Sequence, residues 1–283
     1  MAFRKILLFV FLCLLLILIG ATAAVAEAAG PNDQCLQCHS NKGFSIEKEG
    51  KTVSLYVDSD ELSQSVHGTN ECQTCHAGME DIPHKETVSS VRELAAKVTE
   101  RCQMCHADVN KEYKDSTHGK LAAEGQETAY CSDCHGSHTI VKTENENSLV
   151  NRTNITETCT KCHSGEIAES YAESFHGKAV YLGSTEAATC VDCHTDHNIL
   201  GPTEPQSTVS KANVPETCAT CHNSAQPNFA VGSEHWTFEP DGPGKPMYYT
   251  LKFFTWLTIA TIVLLIVHIE LDLFRKFRSS GNK

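Results

Sequence analysis

The chain of 283 residues carries 35 acidic and 23 basic side chains, which gives a formal net charge of −12. Binding to nucleic acid needs a basic face, so this charge argues against such a partner and favours partners that present basic patches. An acidic surface that is simply solvated, with no docking role, is the alternative interpretation.

Residues 1–26 have the pattern of an export signal that is removed from the mature protein. Arg4 and Lys5 form a positive start, residues 6–19 are apolar, and Ala24-Val25-Ala26 offers small residues for cleavage. The alternative is an uncleaved anchor helix, but the apolar stretch is short for a membrane span.

Residues 27–239 form the body of the chain, and the pentapeptide Cys-x-x-Cys-His occurs in it seven times. Two thiols one helical turn apart can add to the two vinyl groups of one haem, and the following imidazole can ligate its iron. This spacing therefore predicts seven covalently bound haem c groups. Zinc sites and disulfides are the alternatives, but neither explains a histidine after every second cysteine. The copies use every cysteine except Cys13: Cys35/Cys38/His39, Cys72/Cys75/His76, Cys102/Cys105/His106, Cys131/Cys134/His135, Cys159/Cys162/His163, Cys190/Cys193/His194 and Cys218/Cys221/His222.

A small β-hairpin is predicted between the first two motifs, where residues 44–47 and 52–57 flank Glu49-Gly50. We expect it to cover the first haem, and a loose surface excursion is the alternative. Short helices are expected on the motifs and over residues 108–115 and 166–174. The fold class is therefore mainly α with little regular secondary structure.

The motifs repeat as a two-haem module. Two series of first cysteines show the period: Cys72, Cys131 and Cys190, and Cys102, Cys159 and Cys218. Successive members lie 59 and 59 residues apart in the first series and 57 and 59 apart in the second. Three modules and a half-module make seven haems. With so little chain around each haem, we expect the haems to form the core and the apoprotein not to fold.

Seven further histidines recur at repeated positions, either in Ser-x-His-Gly or Ser-Glu-His-Trp or shortly after a motif. They are His67, His84, His118, His138, His176, His197 and His235. Their number matches the number of haems, so we expect each to be a distal iron ligand, and solvated surface residues are the alternative. Seven bis-histidine irons leave no open position for a substrate, which favours an electron carrier and not an enzyme. An unligated position would instead indicate a reductase of nitrite, hydroxylamine or a sulfur oxyanion.

The C-terminal residues have the pattern of a membrane anchor. Residues 240–247 are a predicted linker, residues 248–274 a transmembrane helix with aromatic residues at its front edge, and residues 275–283 a basic tail. The positive-inside rule places this tail in the cytoplasm of a bacterial cell and the haem body in the periplasm, at the inner membrane. His268, inside the span, could ligate a b-type haem of a partner, or could lie among the lipid headgroups.

Over residues 31–236 the chain resembles multihaem c cytochromes with paired attachment motifs, in which Ser-x-His-Gly and Cys-x-x-Cys-His-x-x-His supply distal ligands. That resemblance implies closely spaced haems in parallel or perpendicular pairs. The whole architecture is similar to the membrane-anchored heptahaem c subunit of bacterial cytochrome bc menaquinol oxidoreductase complexes. It implies a membrane b-type cytochrome or quinol-oxidising subunit as donor and periplasmic redox proteins as acceptors. The quinol-oxidising anchors of nitrite and nitrate reductase systems differ, because their helix is N-terminal and their haems are fewer.

Overall fold

A computed structural model describes residues 30–48, 50–85, 88–223, 225–226, 228 and 235–280 of the chain. The predicted export signal lies outside these residues. About half of the described chain is helical, and its strands form one two-stranded sheet. The mainly α character, the single hairpin and the long C-terminal apolar helix are therefore confirmed.

The elements follow one another as short helices with one early hairpin. In chain order they are α1 (Asp33–His39), β1 (Ser45–Lys48), β2 (Lys51–Ser54), α2 (Ser59–Gln64), α3 (Cys72–Cys75), α4 (Val91–Cys105), α5 (Ala107–Asp115), α6 (Thr117–Ala123), α7 (Cys131–His135), α8 (Ile155–Thr160), α9 (Glu166–Glu173), α10 (Phe175–Tyr181), α11 (Cys190–His194), α12 (Val214–Ala219) and α13 (Lys245–Ser280). The first cysteine of every pentapeptide lies in a helix, as expected.

The chain divides into two compact units, residues 1–63 with 69–85 and residues 64–68 with 86–283. In the first unit β1 and β2 pair antiparallel, with Ser45 opposite Ser54 and Lys48 opposite Lys51. The strand after the turn leads back to α1, where the N–H of Val57 donates to the carbonyl of His39 at 2.7 Å. The hairpin thus lies beside the first cysteine motif.

In the second unit the same helix arrangement occurs twice. Helix α5 is followed at once by α6, and α9 by α10, and a serine between the two helices begins the second one. These pairs carry the second and third Ser-x-His-Gly segments, those of His118 and His176. The predicted helices at 108–115 and 166–174 are confirmed, each with one end moved by a residue.

Very little apolar side-chain area is buried. Among the described residues the buried hydrophobic side chains are Ile155 and Leu200, and most other buried residues are serines and threonines. A domain of this size normally depends on a large apolar core for its stability. The polypeptide of the body therefore lacks the apolar contacts that would hold it together by themselves.

Helix α13 is long and apolar enough to cross a membrane, with a mean hydropathy of 2.1 in its most apolar window and no buried residue. It begins at Lys245, inside the predicted linker, and continues through most of the predicted tail to Ser280. Proline is tolerated in the first turn of a helix, so Pro246 does not delay its start. At about 1.5 Å per residue the helix exceeds the roughly 30 Å of a hydrocarbon core.

Candidate functional site

The pentapeptides place their two cysteines on one helical turn. In the fifth motif, for example, the N–H groups of Cys162 and His163 donate to the carbonyl of Cys159 at 3.3 and 3.0 Å. None of the described cysteines forms a disulfide. The arrangement keeps both sulfurs on one side of a short turn, as addition to a single haem requires.

The second cysteines of the motifs differ in their position on the helices. Cys38 and Cys193 lie within α1 and α11, as predicted, but Cys162 and Cys221 lie just beyond the last residues of α8 and α12. The prediction that a short helix carries the motif is therefore wrong for the second half of the fifth and seventh copies. A turn keeps the spacing there, because the N–H of Cys221 donates to the carbonyl of Cys218 at 3.2 Å.

Exposure of the second cysteines alternates along the chain. In the first, third, fifth and seventh motifs the second cysteine is exposed, and in the second, fourth and sixth it is partly buried. The exposed set is Cys38, Cys105, Cys162 and Cys221, and the partly buried set is Cys75, Cys134 and Cys193. The odd-numbered motifs thus differ from the even-numbered motifs in the exposure of their second cysteine. In the partly buried set, the backbone carbonyl of Cys193 accepts a hydrogen bond from the hydroxyl of Thr208 at 2.5 Å.

The predicted proximal and distal histidines face each other in pairs. Each of six pairs joins one histidine of a pentapeptide to one histidine outside the pentapeptides, with the following distances between ring centroids: His39 and His84 at 6.2 Å, His106 and His67 at 6.1 Å, His163 and His118 at 6.0 Å, His135 and His197 at 6.0 Å, His222 and His176 at 6.1 Å, and His194 and His235 at 6.2 Å.

This separation fits a metal ion between the rings. An imidazole nitrogen bound to a transition metal lies roughly 2 Å from it, so two rings on opposite sides have centroids on the order of 6 Å apart. Aromatic rings in direct contact have a wider range of separations, roughly 4.5–7 Å between centroids, whereas all six pairs lie between 6.0 and 6.2 Å. The residues present therefore fit an iron held by two imidazoles.

The last two predicted ligands, His76 and His138, belong to the first and the second unit respectively. The 59-residue period relates His76 to His135 and His138 to His197.

Two of the predicted ligand histidines have their Nδ1 atom in contact with a polar neighbour. His39 Nδ1 lies 2.7 Å from the carbonyl oxygen of Leu55, and His235 Nδ1 lies 3.1 Å from the hydroxyl of Ser170. Metal-bound histidines commonly use their second nitrogen in this way, which fixes the ring and leaves Nε2 for the metal. Sequence reasoning missed Leu55 and Ser170, because neither lies near its histidine in sequence.

Burial disfavours the charged form of three of these rings. Desolvation lowers the pKa of His118, His135 and His194 below the ordinary value for histidine, and a neighbouring imidazole lowers it further in each case. The neutral imidazole is the form that binds a metal. Near neutral pH these rings are therefore in the form that their predicted role as ligands requires.

Two of the three Ser-x-His-Gly segments, those of His118 and His176, have a common local structure. Ser116 caps α6 by accepting the N–H of Gly119 at 3.0 Å, and Ser174 caps α10 by accepting the N–H of Gly177 at 3.0 Å. Each serine also donates to the carbonyl of a tyrosine in the preceding helix. The serine and the glycine thus hold the histidine between them at the start of a helix.

Main-chain hydrogen bonds connect the two kinds of distal-histidine segment. The N–H of Val66, next to His67, donates to the carbonyl of Ile140 at 2.8 Å. In the next repeat the N–H of Thr117 donates to the carbonyl of Ile199 at 2.8 Å, two residues after His197. A Ser-x-His-Gly segment is therefore joined to the segment that follows a later cysteine motif.

The cysteine motifs also associate in pairs. A hydrogen bond from Cys102 lowers the pKa of the Cys131 thiol to about 6, and one from Cys159 lowers the pKa of the Cys190 thiol to about 7. In the first unit, burial and then the neighbouring Cys35 thiol raise the pKa of Cys72. First and second, third and fourth, and fifth and sixth motifs are thus neighbours through their first cysteines.

Side chains fasten these motif pairs together. Asn32, before the first motif, donates to the carbonyl of Asn70 at 3.1 Å and accepts the N–H of Cys72 at 2.8 Å. In the third and fourth motifs Arg92 donates to both carboxylate oxygens of Asp133, at 2.8 and 2.9 Å.

Arg152 makes the corresponding bonds between the fifth and sixth motifs, to Asp192 at 3.0 Å and to the carbonyl of Ala187 at 2.8 Å. The two aspartates stand before the second cysteine of the fourth and sixth pentapeptides, and each caps its own helix through a backbone N–H. The recurrence of Cys-x-Asp-Cys-His was the sequence signal that could have found them.

A comparison with protein-family models, curated proteins and solved structures found no match to this chain. The function proposed below is therefore supported by the sequence motifs and by the geometry of the histidine and cysteine pairs.

Proposed function

We propose that the protein is a membrane-anchored electron carrier that holds seven covalently attached haem c groups, each through two cysteines and two histidines. The observation that carries this proposal is the pairing of six proximal with six distal histidines at metal-ligand separation. A haem so held exchanges one electron with its neighbours and offers no free iron position.

The residues of this chain supply three things to such transfer. The cysteines fix each haem by covalent bonds, the paired imidazoles keep the iron coordination the same in both oxidation states, and the contacts between first cysteines bring neighbouring attachment points together. Cys134 also lies close enough to Cys162 for the two thiols to interact electrostatically, so the second and third motif pairs adjoin. The motif order then gives the electron a continuous path from the third motif to the sixth.

The haem content can be measured directly on the protein purified in detergent. We expect seven haems per chain by pyridine haemochrome assay and mass spectrometry, and only low-spin ferric signals in the electron paramagnetic resonance (EPR) spectrum of the oxidised protein. His176→Ala should add one high-spin ferric haem, because it removes the ring opposite His222. His268→Ala is the matched control and should add none. High-spin haem in the unaltered protein would instead support the reductase hypothesis.

The membrane arrangement is part of the same proposal. Helix α13 anchors the body at the periplasmic face of a bacterial inner membrane, and a membrane b-type cytochrome or other quinol-oxidising subunit delivers electrons to it. The acidic charge of the chain favours acceptors with basic patches. We expect a menaquinol analogue to reduce the protein only in membranes that also contain such a partner, and reduction of the isolated chain would contradict this assignment.

A further inference from the structure

Two carboxylates face the second nitrogen of one distal histidine. His197 Nδ1 lies 3.4 Å from Asp196 Oδ2 and 4.0 Å from Glu112 Oε2. One ligand atom from each of the three residues lies within 4.8 Å of the other two. The partners are neutral at His39, where Nδ1 faces a carbonyl, and at His235, where it faces a hydroxyl.

A carboxylate at this position changes the electronic character of the ligand. It attracts the Nδ1 proton, makes the imidazole a stronger donor, and stabilises the more positive iron. Asp196 also acts electrostatically on His135, the opposite ligand of the same pair. Both histidines of this pair therefore have an acidic neighbour, whereas the Nδ1 partner of His235 is a neutral hydroxyl.

The rings of this pair are also nearly parallel. The planes of His135 and His197 differ by 9°, whereas those of His67 and His106 differ by 75°. Parallel axial imidazoles separate the energies of the two iron π orbitals and give a rhombic low-spin EPR spectrum, while nearly perpendicular planes give an axial spectrum with one large g value. The site of His135 can thus be followed separately from that of His106.

We propose that Glu112 and Asp196 make the haem held by Cys131, Cys134, His135 and His197 lower in reduction potential than the neighbouring haem of His67 and His106. The inference rests on the proposed function, and it assigns the two carboxylates as positioning residues that set a potential. Because Cys102 and Cys131 are in contact, this potential step lies between adjacent haems. Electrons that reach the pair therefore rest on the haem of His106 before they move on.

The test is a potentiometric titration of the full-length haem-loaded protein, followed by EPR in the presence of a chelator that removes divalent cations. In Glu112→Gln/Asp196→Asn we expect the ratio of reduced to oxidised haem at this site to rise about tenfold at a fixed potential. The loss of the rhombic ferric signal measures this ratio, and a tenfold change corresponds to about 59 mV for one electron. Glu186→Gln/Asp241→Asn is the matched control, since it makes the same change in charge on two exposed side chains.

A shift of the rhombic signal no larger than in the control would overturn the proposal, and so would its replacement by a high-spin signal, because the carboxylates would then only hold His197 in place. In both outcomes the count of seven haems would stand. The absence of haem from the unaltered protein would instead refute the proposed function itself, so the two failures can be told apart.

Discussion

Gly119 and Gly177 occupy positions where a side chain has no space. A Cβ atom on Gly177 would overlap the carbonyl oxygen of Tyr171, and one on Gly119 would overlap that of Tyr113. The same tyrosine carbonyls accept the hydroxyl groups of Ser174 and Ser116. The glycine of Ser-x-His-Gly is thus required because the histidine helix begins directly against the preceding helix.

Gly177→Ala should therefore displace the first turn of α10 and the ring of His176. We expect a loss of about 1–3 kcal/mol in the free energy of unfolding, as for other overpacked sites, and one high-spin haem in the EPR spectrum. Gly201→Ala is the control, because no atom lies near the added methyl group. Equal spectra for the two variants would show that the glycine does not position the ligand.

The residue after the fourth pentapeptide has an unusual backbone conformation. Gly136 has φ 78° and ψ −170°, and the corresponding Thr195 has φ 64° and ψ 178°. This region is strained for residues with a side chain, and the Thr195 hydroxyl offsets part of the cost by donating to the carbonyl of Asn198 at 2.9 Å.

Gly136→Ala has no such hydroxyl, so it should lower the free energy of unfolding by about 1–3 kcal/mol in chemical denaturation of the haem-loaded protein. Gly136→Thr should lower the free energy of unfolding by less, because the threonine hydroxyl can repeat the hydrogen bond made by Thr195. If alanine and threonine were equally costly, the hydrogen bond would not be what makes Thr195 acceptable.

At the scale of elements, the second unit is held by polar contacts between helices that are themselves too short to be stable. Isolated helices shorter than about 12 residues are marginal in water, and most helices of the body are shorter. Arg92, near the start of α4, binds Asp133 of α7, and Arg152, three residues before α8, binds Asp192 of α11. We regard these two arginines as the principal protein contacts within the motif pairs.

Arg152→Ala should lower the free energy of unfolding by about 1 kcal/mol, the upper range for partly exposed ion pairs, and should loosen the contact between α8 and α11. Lys178→Ala, which removes an exposed pair with Glu173, is the control and should have little effect. Chemical denaturation of both variants with haem attached makes the comparison.

The ion pair of Arg152 and Asp192 also makes the stability of the protein depend on pH in the acid range. Burial opposes ionisation of Asp192, but hydrogen bonds from Thr189 and Arg152 outweigh it and lower the pKa of this carboxyl below its usual range. A lowered folded-state pKa stabilises the protein above the unfolded value of about 4, and this contribution is lost as the pH falls through the folded value. Asp192→Asn should therefore flatten the stability profile in that acid window, and an unchanged profile would show that other groups control it.

At the scale of the whole molecule, few apolar side chains are buried among the described residues, so we expect folding to depend on the proposed haems. We expect the chain with all attachment cysteines replaced by serine to lack a cooperative thermal transition in the body, by circular dichroism and proteolysis. Helix α13 should stay helical in detergent, since its backbone hydrogen bonds are internal. A cooperative transition in the haem-free body would contradict this prediction.

The sequence predicted the helices and strands better than it predicted which histidines pair with each other. Short helices on the motifs, the hairpin and the apolar C-terminal helix followed from spacing and local pattern, and the number of distal histidines followed from counting. The identity of each pair did not, because it depends on main-chain contacts such as Thr117 to Ile199, which leave no trace in side-chain identity. Glu112 beside His197 was missed for a similar reason, since the two residues are distant in the chain.

The contacts between first cysteines are out of phase with the sequence repeat. A 59-residue unit that starts at Cys131 ends before Cys190, so it contains the second member of one cysteine pair and the first member of the next. Removal of residues 131–189 would bring Cys102 into register with Cys190, Arg92 with Asp192 and Val66 with Ile199. The chain could therefore lose or gain two cysteine motifs at a time and keep matching contacts at the new junction, which would change the length of the proposed haem series.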